Sequence, residues 1–149
     1  MAYRFRLETV LTYRRSLEEQ VQLRLAREQR LLDTHLDRLD HLKAERRQIM
    51  RDLESAKRKQ LAAPMFSNYM ECIDTKEWEI RAQAVTVESQ RRVVDEAREE
   101  LQDKMKDRKV MERAKEQDYN TYLRGYLRKE QNDSDEQALL RFGREKVLH

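Results

Sequence analysis

The stretch KQLAAPMFSNYM, residues 59–70, holds the only proline in 149 residues. Long runs without glycine or proline flank it on both sides. Proline lacks an amide hydrogen, and its ring drives the preceding residue out of helical geometry. Pro64 therefore predicts a stop to one helix near Leu61. Ser67 or its neighbours can cap the start of a second. The sequence predicts an all-α antiparallel two-helix coiled-coil hairpin. Its turn lies near Pro64, and a short, mobile C-terminal helix follows the second arm.

The composition supports long helices. Charged residues make up 41%, mean hydropathy is −1.07, and glycine and proline together number three. Few breakers among many Glu, Lys, Arg, Gln and Leu residues mark long helix or coiled coil. A disordered chain can carry as much charge but lacks a regular apolar period. Residues 1–60 carry 15 basic and 10 acidic residues, and residues 61–149 carry 17 and 19. Opposite net signs suit two antiparallel arms. Acids interleaved along both arms count against a nucleic-acid binder, where basic residues cluster.

The period is legible on each side of the proline. From Val21, steps of four and three residues visit Val21, Leu25, Glu28, Leu32, His35, Leu39, Leu42, Arg46, Ile49, Leu53 and Ala56. Eight of these eleven are apolar, which is a coiled-coil seam. Upstream, Leu7, Val10, Leu17 and Val21 keep the rhythm, with a stutter between Leu17 and Leu25. After the proline, Phe66, Met70, Ile73, Glu77, Ile80, Ala84, Val87, Arg91, Val94, Arg98, Leu101 and Met105 repeat the pattern. A turn centred at residue 63 pairs Leu53 with Ile73, Leu42 with Ala84, Leu39 with Val87 and Leu32 with Val94. It also sets Glu28 against Arg98 and Arg14 against Glu112. Arg46 and Glu77 fall in adjacent layers. Buried polar layers cost stability but can fix register, so Glu28, Arg98, Arg46 and Glu77 are the candidate register-setting residues. His35 opposite Arg91 has no rationale in this pairing. A single kinked helix of roughly 200 Å is the alternative, and it leaves both seams needing other chains.

The expected division is a hairpin over 1–130, with helices at about 7–60 and 66–130 and a turn at about 61–65. A flexible tail with a short helix follows at 131–149. Asn132, Asp133 and Ser134 should break the second helix, and Ser134 with Gln137 forms a capping-box pattern for the third.

Little in the sequence carries chemistry. Two glycines, Gly125 and Gly143, allow no phosphate-cradling loop. His35 and His41 do not share a helix face, and a single cysteine, Cys72, excludes a disulfide framework. No catalytic residue, metal site or cofactor is expected, and a two-helix coil offers no deep pocket. The protein is therefore expected not to be an enzyme. Trp78 flanks the seam. It is expected to pack there, with an exposed binding anchor as the alternative. The longest apolar run, LAAPMF, is far below the ~20 residues of a spanning helix. The opening MAYRFRLETVL has no hydrophobic signal region. A cytoplasmic location is the expectation. Two places carry surplus apolar surface: the tip, with Met65, Phe66, Tyr69 and Met70, and the open end. There Tyr3, Phe5, Leu7, Leu11 and Tyr13 lie beside Tyr119, Tyr122 and Tyr126.

Three segments resemble one family. FRLETVLTYRRSLE, Phe5 to Glu18, is similar to the start of the flagellar export-apparatus FliJ family. So is RKVMERAKE at 108–116, and EQNDSDEQA, Glu130 to Ala138, resembles the family's closing Asp-Glu-x-Ala signature at Asp135, Glu136 and Ala138. Ala114 departs from the leucine usual there. The resemblance implies a coiled coil similar to the central stalk of rotary ATPases. Such a stalk sits in the hexameric export ATPase ring, contacts the export-gate membrane protein and handles export chaperones. It implies a cytoplasmic protein peripheral to the inner membrane at the flagellar base, monomeric by itself. Phe5, Leu7, Leu11, Tyr119 and Tyr122 are then the candidates for the ATPase, and Phe66, Tyr69 and Ile73 for the gate. A structural tether unrelated to export is the rival, and it predicts a stable homodimer.

Overall fold

A computed structural model describes the backbone of residues 2–148 and the side chains of residues 2–146. Two long helices pack together, α1 (Glu8–Arg58) and α2 (Ala63–Leu148), and the described residues form no strand. The chain divides into two units: Met1–Glu18 with Asp103–His149, and Glu19–Gln102. In each, α1 and α2 run antiparallel.

Local chemistry sets the helix ends. The Glu8 amide donates to the Phe5 carbonyl at 3.2 Å, and Glu8 places an acid in the first turn of α1. Lys57 and Arg58 place cations in its last turn, where the helix dipole favours them. The Lys59 amide then closes on the Ala56 carbonyl at 3.1 Å, and Gln60 turns left-handed at φ 62°. Glycine is the usual residue there because it has no Cβ to clash. Gln60→Gly is expected to raise stability by about 0.5–1 kcal/mol, the left-handed penalty less the entropy glycine adds to the unfolded chain. Urea unfolding followed by circular dichroism checks it.

The connection is 59–62, not the expected 61–65, and Pro64 is the second residue of α2. In a helix's first turn the missing amide loses no hydrogen bond and the fixed φ suits the helix. The proline therefore opens the second helix instead of occupying the turn. The expected short third helix is also corrected. α2 runs unbroken through Asn132, Asp133 and Ser134. Without proline or glycine, these weak helix formers cost only tenths of a kcal/mol each. Gln131 also donates to Asp135 at 3.2 Å across one turn.

In the unit 19–102, Leu32, Val87 and Val94 form the core, flanked by Leu25, Leu36 and Leu39. Val21, Leu42, Leu53 and Ile73 are buried as the α1 and α2 periods predict. Half of the α2 seam, however, lies one residue earlier than expected. Gln83, Gln90 and Ala97 are buried, whereas Ala84, Arg91 and Arg98 are exposed. The two phases share Ile73, Ile80, Val87, Val94 and Leu101 and differ only between. Ala84 looks more apolar than Gln83, but its phase would also bury the guanidinium groups of Arg91 and Arg98. Burying a charge costs far more than burying a bonded amide. Gln83 Nε2 donates to the His35 carbonyl at 2.9 Å. Gln90 Nε2 donates to the Glu28 carbonyl at 2.9 Å and to Glu28 Oε2 at 2.6 Å.

This phase changes the polar pairs. Glu28 meets Gln90 and does not pair with Arg98, which reaches Gln29 at 3.3 Å and Asp95 at 3.7 Å. Arg46 and Glu77 do pair, at 3.9 Å. Lys76 bonds both Glu45 and Glu79, and it holds the Glu45 carboxyl below its ordinary range.

Candidate partner-binding sites

The unit formed by residues 1–18 and 103–149 is held by a small core and a polar network. Leu11 is fully buried, and Met111 is buried beside α1. Glu18, 6% exposed, receives the Arg108 guanidinium, which also donates to Glu112 at 2.9 Å. Arg14 donates to the Asp107 carbonyl at 2.8 Å in place of the expected Glu112, which takes Arg15 at 3.5 Å. Lys115 pairs with Glu8 at 2.8 Å.

Beyond this network lies an aromatic cluster. The Tyr3 hydroxyl donates to Asp118 Oδ2 at 2.8 Å and lies 3.4 Å from the Lys115 carbonyl. Its ring meets Tyr119 edge-on at 5.1 Å and Tyr122 at 5.2 Å, and Tyr122 stacks on Tyr126 at 6.4 Å. Burial, then the bond to Asp118, push the Tyr3 phenol from 10.0 up to about 12. A raised phenol contributes to stability fully below pH 10, and the contribution disappears as pH rises through about 12. A spectrophotometric titration at 295 nm is expected to show a late phase near 12 that Tyr3→Phe abolishes.

The predicted ATPase-facing residues therefore differ in what they offer. Phe5 and Tyr122 are half-buried, while Leu7 and Tyr119 are exposed. Leu11 offers no surface, because its burial makes it a core residue. The exposed apolar side chains continue along α2 as Leu123, Tyr126, Leu127, Leu139, Leu140 and Phe142.

In the other unit, Phe66, Met65 and Met70 are exposed and Tyr69 is half-buried. Ile73 is 5% exposed and belongs to the seam, which corrects its place among surface residues. Lys57 covers one face of the Phe66 ring at 5.7 Å. Beside them an open apolar cavity is lined by Ile49, Met65, Asn68, Tyr69 and Cys72. Trp78 does not pack along the seam as expected: it is 73% exposed, and Val85 is exposed two turns further on. One tryptophan outside the seam gives periodicity nothing to place.

Sequence reasoning gathered Tyr3 with the tyrosines of α2 but missed the Asp118 bond, the Glu18–Arg108 pair and the two seam glutamines. The recurrence of Gln83 and Gln90 at heptad spacing was the available signal. Among the described residues no cluster of His, Cys, Asp or Glu is placed to hold a metal ion. No helix among the described residues is long and apolar enough to cross a membrane.

Comparison with known proteins gives one result. The family described as flagellar FliJ protein matches residues 3–146. No curated protein and no solved structure matches the chain. With nearly the whole sequence matched, this chain belongs to the flagellar FliJ protein family, a component of the flagellar export apparatus.

Proposed function

We propose that the protein is a non-enzymatic stalk of the flagellar type III export machinery. It engages the hexameric export ATPase through the unit containing both chain ends, and the export-gate membrane protein through the region around Phe66. It also takes part in handling export chaperones. Work at the cytoplasmic side of the inner membrane, as a monomer before assembly, belongs to the same reading.

The observation that carries the reading is the exposure of Leu7, Tyr119 and Tyr126 around a paired core, in a chain of this family. An apolar seam satisfied within the chain leaves binding to residues outside it, and aromatic side chains are favoured anchors. Phe5, Leu7, Tyr119 and Tyr122 are the ATPase residues in this proposal, with Phe66 and Tyr69 for the gate. The division near residue 130 also stands as a proposal. From Leu123 to Lys146 every side chain is exposed.

The test follows hexamer assembly and ATP turnover of the cognate export ATPase as the protein is added. Both are expected to rise at substoichiometric amounts, and Phe5→Ala with Tyr119→Ala should weaken the effect. A tight homodimer that leaves assembly and turnover unchanged would overturn the reading in favour of a tether.

A further inference from the structure

Residues 2–7 precede α1 without helical structure, yet they are not free of the molecule. Tyr3 and Phe5 are half-buried, whereas Ala2, Arg4 and Arg6 are exposed. The segment is thus held mainly through two alternate side chains, Tyr3 and Phe5. Its firmest anchor is one ring between Tyr119 and Tyr122, with one hydroxyl on Asp118. That is how a peptide docks on a helix face, with rigid aromatic area and one oriented polar contact. The face is also longer than its occupant. Tyr126, Leu123 and Leu127 extend it and are exposed.

We propose that residues 2–7 form a releasable strap over a peptide-binding face of α2, where Asp118, Tyr119 and Tyr122 accept an extended partner segment bearing a tyrosine. The proposal rests on the reading of this unit as a partner-binding end, and deepens it by naming the chemistry of what docks there. Tyr3 is the internal occupant, and a partner's tyrosine replaces its ring and its hydroxyl together. The strap lowers apparent affinity by the fraction of time it is closed. It also keeps the tyrosine face from indiscriminate apolar contacts while no partner is present.

The probe is a synthetic peptide of residues 2–9 of this chain, AYRFRLET, added to the full-length protein. The Tyr3→Ala chain is expected to bind it about a hundred-fold more tightly than wild type, as for a strap closed about 99% of the time. The same peptide with alanine for its tyrosine should bind neither chain, and Asp118→Ala in the opened chain should weaken binding several-fold. Nitration of Tyr119 and Tyr122, mapped by mass spectrometry, should quicken several-fold in Tyr3→Ala at unchanged helicity. Equal peptide binding to both chains, no binding to the Tyr3→Ala chain, or unchanged nitration would overturn the strap. The export ATPase enters neither readout, so failure here is distinct from failure of the stalk reading.

Discussion

Ala97→Glu is expected to cost about 3–5 kcal/mol of folding stability, the upper range for a single substitution. Ala84→Glu is expected to stay within about 0.5 kcal/mol of wild type, as surface changes do. Both replace alanine by glutamate in the middle of α2, so helix propensity cancels between them. What differs is the facing: Ala97 is 0% exposed beside Val94, whereas Ala84 points to solvent. At position 97 the new side chain overpacks the seam and carries an unpaired carboxylate into it. Urea unfolding followed at 222 nm measures both. The opposite ranking would mean that α2 turns Ala84 inward, and with it Arg91 and Arg98.

That contrast also marks where the sequence could be read. The α1 seam was legible at Val21, Leu32, Leu42 and Leu53 because apolar residues recurring in alternating steps of four and three have no other use on a highly charged helix. The α2 seam was legible at Ile73, Val87 and Val94 for the same reason. Between those anchors the alternate position can lie three or four residues on, and apolar counting favours Ala84 over Gln83. The choice turns on hydrogen bonds to the carbonyls of His35 and Glu28, which exist only once α1 is in place. The turn was displaced for a related reason. Proline announces a boundary but does not say on which side of it the chain reverses, and here Gln60 supplies the left-handed residue. Of the candidate sites, the aromatic clusters were legible as surplus apolar residues. Which members are buried was legible only in part: the period already placed Ile73 in the seam, whereas Leu11 looks no different in sequence from Leu7.

Arg108→Leu is expected to lower the urea midpoint far more than the double substitution Glu18→Leu with Arg108→Leu. Glu18 is 6% exposed, and its carboxylate meets the guanidinium of Arg108. Removing the cation alone leaves a charge that burial has stripped of water and that no protein group compensates. Removing both partners restores an apolar layer next to Leu11 and Met111, the arrangement a coiled coil prefers at its seam. The pair therefore contributes more to specificity than to net stability, because a slip of α2 along α1 would carry Arg108 past Glu18. Arg108 also holds the Glu112 carboxyl below its ordinary range, chiefly through their hydrogen bond. A depressed carboxylate stabilises the fold above its unfolded pKa, and the contribution is lost as pH falls through the lower folded value. Acid titration of the wild type should therefore lose stability below the 4.5 of an unperturbed glutamate, and the double variant should lose less over the same range. Urea midpoints for the two single variants and the double, across that range, complete a double-mutant cycle. If the single and double substitutions lowered the midpoint equally, the buried carboxylate would need no partner, and the register of this unit would rest on Leu11 and Met111 with the contacts of Arg14, Lys115 and Tyr3.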